Sequence, residues 1–202
     1  MRTTTPAPEV LSDYFGKPKP LLTMPLSYEQ ARLGMAFHEA GHAVLAMAYG
    51  MHVVTSEVIA WEAESGGWRL SGNTAWSANS VPAWHFAAMG GAGEIAQVNY
   101  LMLYGLWTPE RALACAADHD REQAIAILAD HGVRIGRDHV PAGGKSWPMV
   151  QGMARRKISH LWREIRTVAH AMNENTVLTG DQIADVTGLA NRAVSVREGD
   201  AA

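Results

Sequence analysis

The chain has 202 residues, 48% of them hydrophobic, which is enough to bury one core, and its formal net charge is -3. That balance excludes the strongly basic footprint of a nucleic-acid-binding protein. The only cysteine is Cys115, so there is neither an intramolecular disulfide framework nor a cysteine-based zinc site, which fits a reducing cytoplasmic location.

In chain order, residues 1–26 hold five of the nine prolines and lack the apolar core of a secretory signal, so they read as a Pro-rich N-terminal arm. Val10, Leu11, Tyr14, Phe15, Leu21 and Leu22 make this arm apolar enough to lie in a groove. Ser27-Tyr28-Glu29-Gln30 is a capping box that opens a helix running towards Gly50. Leu33, Ala36, Phe37, Ala40, Val44, Leu45 and Ala48 recur along it at helical spacing, which predicts a buried helix. Gly34 and Gly41, seven residues apart on one side, would let another backbone approach closely.

β-Branched residues in His52–Trp61 predict a strand, Glu64–Gly67 a turn, and Trp68–Trp76 its hairpin partner, with Trp68, Leu70, Thr74 and Trp76 on one face. From Ser80 onward the pattern is helical. One helix enters through Pro82 and reaches about Tyr104; its most apolar stretch contains Glu94, Gln97 and Asn99, so it is not a membrane span. Thr108-Pro109-Glu110 starts a short helix, and Asp118 or Asp120 starts another that stops near Gly132. Gly143-Gly144-Lys145-Ser146 lacks the earlier glycine of a phosphate loop and is a turn. A long helix follows from Trp147 to about Asn173, and Thr179–Gln182 is a second capping box before a last short helix. The expected fold is mainly α with a small β hairpin (α+β): a zincin-like HExxH helix followed by a helical bundle. Residues 27–190 form the expected domain and 191–202 a flexible tail.

His38-Glu39-Ala40-Gly41-His42 spells HExxH inside the first helix. Residues i and i+4 share a helix face, so both imidazoles can reach one metal, while Glu39 stands beside that face as a candidate general base for a metal-activated water. In a chain of this composition the pattern arises by chance in about one sequence in 40, so the context has to decide. Two imidazoles and a carboxylate on a buried helix are costly without partners, and a metal supplies one. A catalytic zinc takes three protein ligands. Leu45 and Ala48 occupy the places where a longer motif would put Gly and a third His, so the third ligand is a distant Asp or Glu.

HEAGHA at His38–Ala43, the β segment after it, GGAGEIAQ at Gly90–Gln97, DREQA at Asp120–Ala124 and HLWREIRTVAHAMNENTVLTGDQI at His160–Ile183 follow one another in this order. Over about residues 30 to 187 they resemble the peptidase domain of FtsH-type ATP-dependent zinc metalloproteases. The resemblance implies zinc held by His38, His42 and Asp120, with Glu39 as catalytic base and a peptide or unfolded protein as substrate. Asp118 is the close rival for the third ligand, with an N-cap role as its alternative. Glu94 matches a family glutamate and would orient a ligand imidazole as its hydrogen-bond acceptor. No AAA+ ATPase module or membrane anchor occurs in these residues, so the expected activity is ATP-independent zinc endopeptidase chemistry. A narrow-specificity peptidase for one regulatory protein and a non-catalytic, regulatory zinc-binding module are the alternatives. The Trp68–Trp76 strand is the expected edge for an extended substrate. The basic run Arg155-Arg156-Lys157 is the solvated face of the long helix, and oligomeric state is not legible.

Overall fold

The computed structural model describes residues 26–64, 67–77 and 81–193. The N-terminal arm up to residue 25, the tip of the hairpin turn and the tail beyond residue 193 lie outside the described residues.

Helix α1 (Tyr28–Ala48) is the central element. The Ser27 hydroxyl accepts from the Gln30 N–H at 3.2 Å while the Gln30 side-chain oxygen accepts from the Ser27 N–H at 3.0 Å, so the capping box forms as expected. Gly50, with φ +82°, supplies the left-handed residue that ends the helix. Phe37, Ala40, Val44 and Leu45 are wholly buried, because α1 is packed by the sheet and by other helices together. Inward-facing residues therefore lie nearly all round it rather than on one stripe.

Strands β1 (His52–Glu62) and β2 (Trp68–Ser77) form the predicted antiparallel hairpin, with a register shift between Val53 and Thr55. Next come α2 (Ala83–Gly90), α3 (Ala92–Leu103), α4 (Pro109–Ala114) and α5 (Asp118–Asp130), then two-residue strands β3 (Ile135–Gly136) and β4 (Lys145–Ser146). The chain closes with α6 (Trp147–His160), α7 (Trp162–Asn175), β5 (Val177–Thr179) and α8 (Gly180–Thr187). The main sheet has the order β2-β1-β5, leaving one side of β2 unpaired among the described residues. The fold is mainly helical with a small antiparallel sheet, an α+β arrangement.

Two long helices expected from the sequence are each broken in two. The Ser80–Tyr104 stretch divides at Gly91, between α2 and α3. A glycine pair there lets the chain bend while both halves pack closely: a Cβ on Gly90 would touch Ala124 of α5 at 3.2 Å. The Trp147–Asn173 stretch divides at Leu161, where no glycine or proline marks the break and the apolar spacing continues through it. β5 is also new. Its three residues are too short to read as a strand alone, and pairing with Thr55–Glu57 of β1 creates it.

Buried residues fall into a large cluster around α1 and a small one, Ala87, Ala124, Leu128, Trp147 and Val150, joining α2, α5 and α6. Among the described residues no helix is long and apolar enough to cross a membrane.

Candidate metal centre

One turn apart on α1, His38 and His42 aim their Nε2 atoms at the same point, 3.2 Å from each other. Asp120, on the first turn of α5, brings Oδ2 to 3.1 Å from the first and 3.3 Å from the second. These three atoms form a group that could hold a metal ion. Ligands about 2.0 to 2.1 Å from a tetrahedral ion stand about 3.3 Å from one another, so the spacing suits a small four-coordinate metal ion.

The outer ring nitrogens decide what the inner ones offer. His42 Nδ1 lies 2.9 Å from the Met89 carbonyl oxygen, which only accepts, so Nδ1 carries the proton and donates it. His38 Nδ1 lies 3.2 Å from Gln97 Oε1 and donates in the same way. In the neutral imidazoles both Nε2 lone pairs then face each other and a carboxylate oxygen. Three acceptors at this spacing require a positive charge between them.

Gly93, early in α3, borders the same point. A Cβ there would fall inside van der Waals contact of both Nε2 atoms, so the missing side chain keeps the space between the donors open. Without a metal, a proton supplies the charge. Burial alone would lower the His42 imidazole, but the Asp120 carboxylate, with help from Glu39 and the Met89 carbonyl, pushes it up to about 9. Burial would raise Asp120 in turn, yet the two imidazoles hold it far below the usual carboxylate range.

Glu39 is 5% exposed, under β2. Thr74 Oγ1 donates to its Oε2 at 2.7 Å. Burial raises its pKa, against the lowering pull of His38, His42 and Thr74. A carboxyl raised in this way is a better proton acceptor at neutral pH than a solvated one.

Of the residues singled out in the sequence, His38, His42 and Asp120 come together, with Glu39 next to them. Asp118 does not join them: its side chain is 60% exposed and pairs with Arg121 at 2.9 Å. Nor is it the N-cap, which is Ala117. Glu94 is a second correction, since neither imidazole takes it as acceptor. It accepts instead from Gln151 at 3.3 Å and from the Ala117 backbone, and burial raises its pKa.

The imidazole acceptors are Gln97 and the Met89 carbonyl. Gln97 lies three residues past Glu94, one helical turn further on, and a neutral amide gives no signal beside an acid. The Met89 carbonyl has none, because any residue carries one. Thr74 lies on the expected face of its strand, but its contact with Glu39 leaves no local trace.

No protein-family model matches the sequence, and a search of curated proteins finds no relative. The functional reading therefore rests on the chemistry of the site.

Proposed function

We propose that the protein is a zinc-dependent metallopeptidase acting on peptide or unfolded-protein substrates. The observation that carries this reading is the convergence of two imidazole nitrogens and one carboxylate oxygen within 3.3 Å of one another, with a buried carboxylate beside them. Two His and one Asp leave a position open on a four-coordinate ion, the pattern of catalytic rather than structural zinc sites. Zinc held there by His38, His42 and Asp120 would supply a Lewis acid for the scissile carbonyl and would lower the pKa of a bound water to about 7.

The chain's own groups do the rest. Gln97 and the Met89 carbonyl lock the imidazoles in the ligating tautomer. Glu39 takes the proton of the attacking water and returns it to the leaving amine, which needs a carboxylate beside the donor set but outside it. β2 runs across Glu39, and its side that is unpaired among the described residues suits an extended peptide added as the next strand. The order of segments resembling FtsH-type peptidase domains supports the same chemistry.

The test is metal analysis of the purified protein, followed by cleavage of an unfolded casein-like substrate by wild type and Glu39→Gln. Stoichiometric zinc in both, with turnover only in wild type, is the expected result. Equal turnover by the two would remove Glu39 as the base. Zinc-loaded wild type that cuts neither casein nor any member of a broad peptide library would return the site to a regulatory, non-catalytic role.

A further inference from the structure

A buried carboxylate that takes and returns a proton has to be held still by something, and nothing on α1 does so. Among the described residues, the side chain that hydrogen-bonds the Glu39 carboxylate is on the sheet packed against α1. Thr74 Oγ1 sits 2.7 Å from Glu39 Oε2, and Ser56 Oγ sits 2.8 Å from the same Thr74 oxygen. Ser56 is wholly buried on β1, in register with Thr74 on β2.

Proton counting gives this chain a single direction. The carboxylate can only accept, so Thr74 spends its one hydroxyl proton on Oε2. The Glu39 carbonyl oxygen, 3.3 Å from Thr74 Oγ1, is a longer and weaker claimant for that proton. With its proton committed, Thr74 can only accept from Ser56, which has no access to water and must donate somewhere. Two strands thus fix one oxygen of a helix-borne carboxylate, and among the described residues no hydrogen bond reaches the other.

The free oxygen has its space reserved. Gly72, two residues before Thr74 and on the same strand face, lies directly over the carboxylate. A Cβ at this position would fall inside contact with Glu39 Cγ and Oε1. Asn73, between them, points to the other face.

We propose that Ser56 and Thr74 are positioning residues that anchor the Glu39 carboxylate through Oε2 and leave Oε1 as the proton acceptor, with Gly72 keeping its space clear. The inference rests on the peptidase reading for its kinetic consequence but not for its geometry. Among the described residues none of the three hydrogen-bonds His38, His42 or Asp120, so zinc content should be independent of them. Thr74→Val removes the hydroxyl at almost constant shape, and Thr74→Ser keeps it.

The experiment measures three quantities for wild type, Thr74→Val, Thr74→Ser and Ser56→Ala: zinc content, kcat and KM on an unfolded substrate, and the position of the Glu39 carboxylate by crystallography. For Thr74→Val the expected result is full zinc, unchanged KM, a rotated carboxylate and kcat lower by about 10- to 100-fold, the scale of a misplaced general base. Thr74→Ser recovers most of the rate, and Ser56→Ala falls between the two. An unmoved carboxylate with unchanged kcat in Thr74→Val would overturn the proposal. If zinc-loaded wild type has no turnover, the peptidase reading fails alone, and the carboxylate's position in Thr74→Val still decides the anchoring. Should Thr74→Val not fold, Ser56→Ala against Thr74→Ser decides by the same readouts, and identical carboxylate positions in these two count against the chain.

Discussion

Helix α1 delivers His38 and His42 from inside the large cluster, where Phe37, Ala40, Val44 and Leu45 have no exposed surface. Helix α5 delivers Asp120 from the small cluster and buries only Glu122, Ala124 and Leu128 of its own residues. The imidazole pair is fixed by the core and by two acceptors on neighbouring elements, whether or not a metal is bound. The carboxylate depends on a thinner contact between α5 and α2, and on Arg137 pairing with Glu122 to tie the following loop to the helix. The difference teaches that a bound metal would join two packing units of unequal strength, with α5 gaining more order than α1.

The largest expected effect comes from breaking the weaker side. Asp120→Ala should abolish tight zinc binding, exceeding the roughly 10- to 100-fold cost of losing only a ligand's outer hydrogen-bond partner. Calorimetric titration checks this, and Asp118→Ala is the contrast: its side chain is 60% exposed, so zinc affinity should stay at the wild-type value. A matching loss in both variants would make the acidic start of α5, rather than one ligand, responsible.

The stronger side is better probed through packing. A Cβ on Gly41 would meet the Ala92 carbonyl oxygen and Ala96 Cβ at 2.8 Å, where α1 and α3 touch. Gly41→Ala should therefore destabilise the fold by about 1 to 3 kcal/mol, an overpacking cost read from denaturant unfolding of the metal-free protein. A neutral result would show that the helices can separate, and that the rigidity assigned to this side is overstated.

A third effect, gradual rather than all-or-none, comes from pH. In the metal-free protein His42 is raised from its ordinary value to about 9, so the stability it contributes is complete below about 6.5 and lost as pH rises through 9. Asp120, being lowered, contributes the same ion pair from the other partner, and that contribution disappears only in strong acid. Zinc has to displace the His42 proton, so affinity should increase about tenfold per pH unit up to about 9. A titration of zinc affinity against pH that stays flat between 6.5 and 9 would place that proton elsewhere.

Part of the site is legible in the amino-acid order itself. HExxH puts two candidate ligands and a candidate base on one helix by local geometry, and the capping boxes at Ser27 and Thr179 fix helix starts within three residues of themselves. Asp120 is reachable only through the resemblance in segment order, since its distance of 78 residues from His42 leaves no periodic trace. At the imidazole acceptor the resemblance favours the charged Glu94. The fold uses Gln97, one turn away, whose amide oxygen accepts from His38 without adding a further negative charge beside Asp120 and Glu39.

Local sequence specifies the HExxH helix, the hairpin after it and the mainly helical remainder, because periodicity and capping act over a few residues. Tertiary structure alone decided that Asp120 and not Asp118 meets the imidazoles, that Met89 and Gln97 set their tautomers, and that Thr74 holds Glu39. Those choices depend on which elements pack together, and that is fixed by burial of surfaces far apart in the chain. The breaks at Gly91 and Leu161 and the pairing that makes β5 belong to the same group, since each is a local departure stabilised by distant contacts.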